Sequence, residues 1–268
     1  MRMKYRYGKK VIVTGASSGI GEACTRLFSH AGYDVVAVSR SVSPHEEEHG
    51  GSIIYHCPMD VTRPETYAVL LPHVADAGIV VHCAGFGIAG AAEDTPLEMV
   101  RQQMEINYFG VLSLNSFLLP YLRARERGLI LVMGSIAGRI SIPFQSHYSS
   151  TKFALEAYVE ALRIETAGYG IRASVIEPGD TKTGFTSNRI WNDRPSVYQA
   201  ACRAAVERME RDEQRGKSPE TAARAALKLS QKKNPPIRTA VGWDYKLLMQ
   251  LKKLLPARLI ESIVRILY

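Results

Sequence analysis

Residues 11–14, 34–39, 52–57, 79–82, 129–133, 172–177 and 237–241 form seven short apolar runs, separated by stretches of helical character. Runs this short and mostly apolar suit strands buried on both faces. Their alternation with helices predicts a doubly wound, Rossmann-type α/β fold, a parallel sheet of about seven strands with helices on both faces. At 268 residues the chain is long enough to bury the core of one such domain. No repeat, low-complexity stretch or linker divides it, so a single domain over residues 1–268 is expected, ending in a helical extension. The connection 40–52 is short and carries Pro44, Gly50 and Gly51, which argues against a full crossover helix there.

Ligands of such sheets bind beyond the carboxyl ends of the strands. Gly15 follows the first run, Gly85 the fourth, Ser135 the fifth and Pro178 the sixth. Gly15-Ala16-Ser17-Ser18-Gly19-Ile20-Gly21 joins the first run to a helical stretch over 22–31. Strand, glycine-rich turn and helix start make a phosphate cradle: backbone N–H groups point at the anion, and the missing side chains allow close approach. The spacing is G-x-x-x-G-x-G rather than the commoner G-x-G-x-x-G, and a tight turn without a ligand would use the same glycines.

Tyr148 and Lys152 stand four residues apart, just over one helical turn, and so share a helix face. A phenol beside a fixed cation deprotonates more readily, which predicts a Tyr148 pKa lowered by Lys152. Ser135 offers a hydroxyl to hold a carbonyl oxygen near that phenol. The set describes a site that moves a proton on or off an alcohol and needs a hydride carrier. Each residue alone has a plainer reading, a surface contact for the pair and a turn cap for Ser135.

Thr14 to Gly21, Asn107, Ser135, Tyr148-x-x-x-Lys152 and Pro178-Gly179 followed by Thr183 together resemble the short-chain dehydrogenases/reductases. The resemblance covers about residues 8–185 and continues more loosely to the C-terminus. It implies an oxidoreductase that interconverts a carbonyl and a primary or secondary alcohol. It implies Tyr148 as the acid/base, Lys152 as the cation that also holds the nicotinamide ribose, and Ser135 as the group that orients the carbonyl. Asn107, within a helical stretch over 97–122, corresponds to the family residue that supports a water-mediated proton relay to Lys152.

Cofactor contacts follow from the same resemblance. Gly15, Ser17, Ser18, Gly19, Ile20 and Gly21 would meet the phosphates, and Asp60 with Val61 the adenine, although a structural turn aspartate is the competing account of Asp60. Ala84 and Gly85 would approach from the loop after the fourth run, and Pro178, Gly179, Thr181 and Thr183 from the nicotinamide side, with Tyr148 and Lys152. His82-Cys83-Ala84-Gly85 stands where the family commonly has Asn-Asn-Ala-Gly, so side-chain contacts of that loop do not carry over. His82 reads as a packed strand-end residue. An NAD site places a carboxylate at the end of the second strand. Here Ser39-Arg40 stands there, and a guanidinium can grip a 2′-phosphate that a carboxylate would repel. The expected cofactor is NADP(H), over NAD(H).

A formal charge of +8 suits nucleic acid, an anionic membrane or a phosphorylated cofactor. No base-reading module or basic stripe interleaved with aromatics is present, so no nucleic-acid partner is expected. Cys24, Cys57, Cys83 and Cys202 are scattered without ligand spacing and read as reduced thiols of a cytoplasmic protein, with no metal site. Residues 1–10 are basic and lack the apolar stretch of a signal peptide, and no run approaches the roughly 18 apolar residues of a membrane span.

By the resemblance, residues 180–215 form the substrate loop. Phe185, Ile190, Trp191 and Tyr198 are candidates for an apolar pocket wall, and Arg189, Arg194 and Arg203 for meeting an acidic group, with helix packing an equal account of most of them. Over 243–268 leucine, isoleucine and valine recur at helical spacing among Lys246, Lys252, Lys253, Arg258 and Arg265. Pro256 predicts a break into two amphipathic helices. Burial against the domain or a second subunit explains the pattern; peripheral contact with an anionic membrane also does. The tail and the Pro178-Gly179 segment most resemble members acting on steroids, retinoids or related lipidic carbonyls. A bulky apolar ketone or aldehyde is the substrate this implies. A polar ketone of sugar or pterin type is the second reading, and a non-catalytic NADP(H)-binding regulator a third. The family also implies a homo-oligomer, dimer or tetramer.

Overall fold

A computed structural model describes residues 5–192 and 194–268. Residues 1–4 of the basic N-terminal segment and Asp193 of the expected substrate loop lie outside them. β1 (Lys10–Thr14) runs through the glycine-rich turn into α1 (Gly19–His30) and back into β2 (Asp34–Ser39). β3 (His45–His49) and β4 (Ser52–Pro58) follow as a hairpin, then a 3₁₀ turn (Pro64–Leu70), the short α2 (Leu71–Val74) and β5 (Ala77–His82). Next come β6 (Ile88–Ala89), α3 (Leu97–Met104), α4 (Gly110–Ala124), β7 (Gly128–Met133), α5 (Ser146–Glu165) and β8 (Ile171–Glu177). β9 (Ile190–Trp191), α6 (Gln199–Gln214), α7 (Pro219–Ser230), β10 (Arg238–Ala240), α8 (Trp243–Leu254) and α9 (Ala257–Leu267) close the order.

The main sheet has eight strands in the order β10-β8-β7-β5-β1-β2-β4-β3. All neighbours are parallel except β3, which is antiparallel to β4. The apolar runs build it because alternate residues fill two cores. Ile12, Val36, Val80 and Ile130 pack under α4 and α5, while Val11, Val35, Ile79 and Leu129 pack under α1 and α7. Strand order reverses between β1 and β5, and a crevice opens beyond the carboxyl ends at that switch point.

Two elements depart from the sequence reading. The connection 40–52 holds no helix, as expected, but it does hold an eighth strand, β3. Gly50 and Gly51, both at positive φ, close a two-residue hairpin between His49 and Ser52. β3 reads His-Glu-Glu-Glu-His and is exposed, a charged strand at a sheet edge where pairing with another chain is disfavoured. The stretch 97–122 is also not one regular helix. Glu105–Phe109 forms a π-helical turn between α3 and α4, and Asn107 lies in it. The tail breaks at Pro256 into α8 and α9, as the sequence predicts.

Candidate active site

The turn after β1 is held open by backbone crowding that only glycine tolerates. A Cβ on Gly21 would lie 2.1 Å from the Gly15 carbonyl oxygen, and one on Gly15 would lie 2.8 Å from the Ala84 amide nitrogen. Gly15 and Gly19 also have φ of +65° and +56°. The turn delivers the start of α1 to the floor of a cavity of about 910 Å³. Gly15, Ser17, Ser18, Gly19, Ile20 and Gly21 all line it. Ser39 and Arg40 at the end of β2, and Asp60 and Val61 after β4, line the same cavity. Arg40 is exposed, and no ion pair engages it among the described residues. Asp60 also holds its own turn, its Oδ1 accepting from the Thr62 amide at 2.9 Å and the Thr62 hydroxyl at 2.8 Å. Both accounts of Asp60 therefore have a physical basis.

Ala84 and Gly85 line the cavity after β5, where the Thr14 hydroxyl accepts from the Cys83 and Ala84 amides at 3.2 and 3.3 Å. His82 sits just behind, buried, with Nε2 2.8 Å from Asn115 Oδ1; burial pushes its pKa down to about 4. A neutral histidine held this way is packing, as its strand-end position suggested.

Ser135 caps a short 3₁₀ turn, its Oγ accepting from the Ala137 amide at 3.0 Å. The same side chain stands beside the Tyr148 phenol and favours its ionised form. Tyr148 and Lys152 lie on the inner face of α5, both buried and both lining the cavity. Lys152 Nζ donates to the Met133 carbonyl at 2.9 Å and sits 5.6 Å from the Tyr148 ring centroid. Asn107 lies behind this pair. Its Oδ1 accepts from the Phe86 amide at 3.0 Å, and its Nδ2 donates to the Phe86 carbonyl at 2.9 Å and Thr151 Oγ1 at 3.2 Å. A Cβ on Gly85 would fall between Asn107 Oδ1, at 3.1 Å, and Lys152 Nζ, at 4.0 Å. The residues expected from sequence thus converge, and the π turn aims Asn107 at the loop beside Lys152.

One expectation is corrected. Tyr148 is not held at a lowered pKa by Lys152. Burial raises it to about 12, with Ser135 and Arg189 opposing the rise and Glu213 adding to it. Desolvation of the phenolate dominates, and Lys152, its Nζ turned toward the Met133 carbonyl, is not among the groups that oppose it. Lys152 itself is pulled down to about 8 by burial.

Pro178, Gly179, Thr181 and Thr183 form the facing wall. No local signal in the sequence marks what holds that wall. Tyr245 of α8 lies flat against Gly179, leaving a Cβ there only 2.0 Å from its ring. Its hydroxyl donates to Asp180 Oδ2 at 2.5 Å and accepts from the Asp180 amide at 2.9 Å. A pairing across 65 residues has no local signature.

Phe185 and Ile190 line the cavity, and the Phe185 ring is 5.5 Å from that of Tyr148. Trp191 and Tyr198 do not. Trp191 packs into the small core under α6, and Tyr198 is exposed. Arg189 is buried against Glu210 and Glu213, so its charge is spent inside the protein. The tail supplies the remaining wall through Leu248, Leu255, Ile260, Ile263, Val264 and Leu267. A glycine floor at a helix start, a basic rim and this volume fit a nicotinamide dinucleotide with apolar room beyond Tyr148.

Residues 9–193 match the short chain dehydrogenase family. The chain is 32% identical over 265 residues to a 3-ketodihydrosphingosine reductase of Bacteroides thetaiotaomicron, covering 96% of this chain and 97% of that protein. It is 36% identical over 196 residues to mouse dehydrogenase/reductase SDR family member 7B, covering 68% of this chain and 61% of that protein. A short-chain dehydrogenase from Streptomyces avermitilis superposes with a TM-score of 0.78 at 27% identity, covering 96% and 97% of the two chains.

Proposed function

The chain belongs to the short-chain dehydrogenase family of nicotinamide-dependent oxidoreductases, and on that premise we propose that it is an NADP(H)-dependent reductase of a bulky, lipid-like ketone or aldehyde. The observation that carries this is the shared cavity. One space holds the glycine floor, Arg40, the Ser135/Tyr148/Lys152 set and the apolar inner face of the tail. Likeness to a 3-ketodihydrosphingosine reductase along nearly the whole chain supports a long-chain substrate.

The bound dinucleotide supplies the hydride. Ser135 holds the carbonyl oxygen through its hydroxyl and polarises it. Tyr148, kept protonated by burial, donates its proton to that oxygen as the alcohol forms. Lys152 in its charged form returns a proton to the phenolate left behind and is then reprotonated from solvent, while Asn107 holds the Phe86 backbone of the loop beside it. Phe185 and the tail exclude water from the reacting carbonyl.

The sign of the pH dependence follows from Lys152. Burial disfavours its charged form, and the charge is lost as pH rises through about 8. kcat/KM for reduction is therefore expected to stay level through neutrality and then fall about tenfold per pH unit above that point. A profile level to pH 10 would remove the Lys152 charge from the mechanism.

Arg40 gives the cofactor preference. A guanidinium gripping a 2′-phosphate contributes about 1.5–3 kcal/mol, so Arg40→Ala is expected to weaken NADPH binding about 10- to 100-fold and leave NADH nearly unchanged. Spectrophotometric kinetics with each cofactor read this directly; equal efficiency with both in the unaltered protein would defeat the preference. We place the outer face of the tail against a membrane surface, from which a lipid-like substrate would be drawn.

A further inference from the structure

α8 presents three faces. Leu248 and Lys252, with Leu255 just past the end of the helix, turn into the active-site cavity. Trp243, Leu247, Leu251 and Leu254, four, four and three residues apart, form an outward stripe in which Trp243 is 78% and Leu254 81% exposed. α9 extends it with Leu259 and Ile266, the latter 80% exposed. Exposed apolar side chains in such a row mark an interaction surface rather than ordinary surface scatter.

The third face of α8 borders a second groove, of about 630 Å³, between α7 and α8. Arg224, Lys228 and Lys232 line it from the α7 side, and Lys246 and Lys253 from α8. At its floor Arg139 and Arg238 are already committed to Glu177, Glu156 and Glu160. The five rim cations have no carboxylate partner among the described residues, so their charge faces outward beside the apolar stripe. A second copy is a poor occupant, because a twofold contact would bring these cations against their own equivalents. An anionic lipid surface complements both features, headgroup phosphate for the groove and acyl chains for the stripe. No helix among the described residues is long and apolar enough to cross a membrane, so the contact is peripheral.

We propose that the α7–α8 groove is a headgroup site for anionic phospholipid, which seats the outer stripe of α8 and α9 in the bilayer and turns the cavity wall toward it. The site deepens the reading of the cavity as one for a lipid-like substrate, and it can fail separately. The test is flotation of the full chain with vesicles of phosphatidylcholine alone or with about 30% phosphatidylserine. Binding is expected only to the anionic vesicles and to weaken with salt. A Lys246→Glu/Lys253→Glu double variant and Trp243→Ser are each expected to lose at least about tenfold in vesicle affinity. Both should keep the melting temperature and the activity on a short, water-soluble ketone, since none of these residues lines the catalytic cavity. Equal binding to neutral vesicles, no binding, or unaltered binding by both variants overturns the proposal. So does a concentration-dependent dimer that Trp243→Ser abolishes, which would make a second copy the occupant. Vesicle binding without reductase activity would retain the headgroup site and remove the substrate reading, and the reverse result would do the opposite.

Discussion

Tyr148→Phe is expected to lower turnover about 10²- to 10⁴-fold, the usual contribution of a positioned general acid, while NADPH affinity changes little. The loss follows from geometry. The phenol is buried beside Ser135 and kept in its acid form by a pKa raised to about 12, so the variant loses the proton that neutralises the new alkoxide. The ring stays packed against Phe185, and the fold has no reason to change. Steady-state rates together with a fluorescence titration of NADPH separate the two quantities. Near-unaltered turnover would leave Tyr148 as packing and open the way to a non-catalytic, cofactor-binding role.

Gly21→Ala is expected to act on the cofactor instead. Its Cβ would lie 2.1 Å from the Gly15 carbonyl oxygen and 2.7 Å from the Gly15 carbonyl carbon, so the backbone of the turn must move. Overpacking of this kind costs about 1–3 kcal/mol of stability. Losing even one backbone hydrogen bond to a phosphate costs about 1.5–3 kcal/mol, so NADPH affinity is expected to drop tenfold or more. Gly168, where no heavy atom lies within 4 Å of the Cβ position and φ is not positive, serves as a control for substitution of glycine as such. A Gly21→Ala protein with unaltered affinity would contradict the role of this turn as the phosphate floor.

Local signals were enough for what lies close in sequence. The strands β1, β2, β4, β5, β7 and β8 were legible because each is a buried apolar run, and the Tyr148/Lys152 spacing needs only one helical turn. β3 was not, because a charged edge strand carries no apolar alternation; only Gly50-Gly51 hinted at a hairpin. The π turn around Asn107 leaves the hydrophobic pattern of 97–122 intact and changes only which carbonyl each amide meets, so periodicity passes over it. The direction of the Tyr148 pKa is not legible for a related reason. Neighbouring charge is visible in a sequence, whereas desolvation depends on what the fold places over the group. Tyr245 on Gly179, Arg189 against Glu213 and Trp191 in the core under α6 are likewise products of tertiary packing, and for Trp191 and Arg189 packing is the account the fold selects.

The tail makes the sharpest demand on the proposed chemistry, because Leu248, Leu255, Ile260 and Ile263 give the cavity an apolar wall that a small polar ketone would not use. Each buried methylene contributes about 0.8 kcal/mol, roughly a fourfold gain in binding. The direct measurement is NADPH oxidation at 340 nm across a series of ketones that share a headgroup and differ only in alkyl length. kcat/KM is expected to climb steeply with chain length and to exceed the shortest member by at least about 100-fold. A flat series, or no NADPH oxidation with any member, would contradict the reading of this protein as an NADPH-dependent reductase of lipid-like carbonyls.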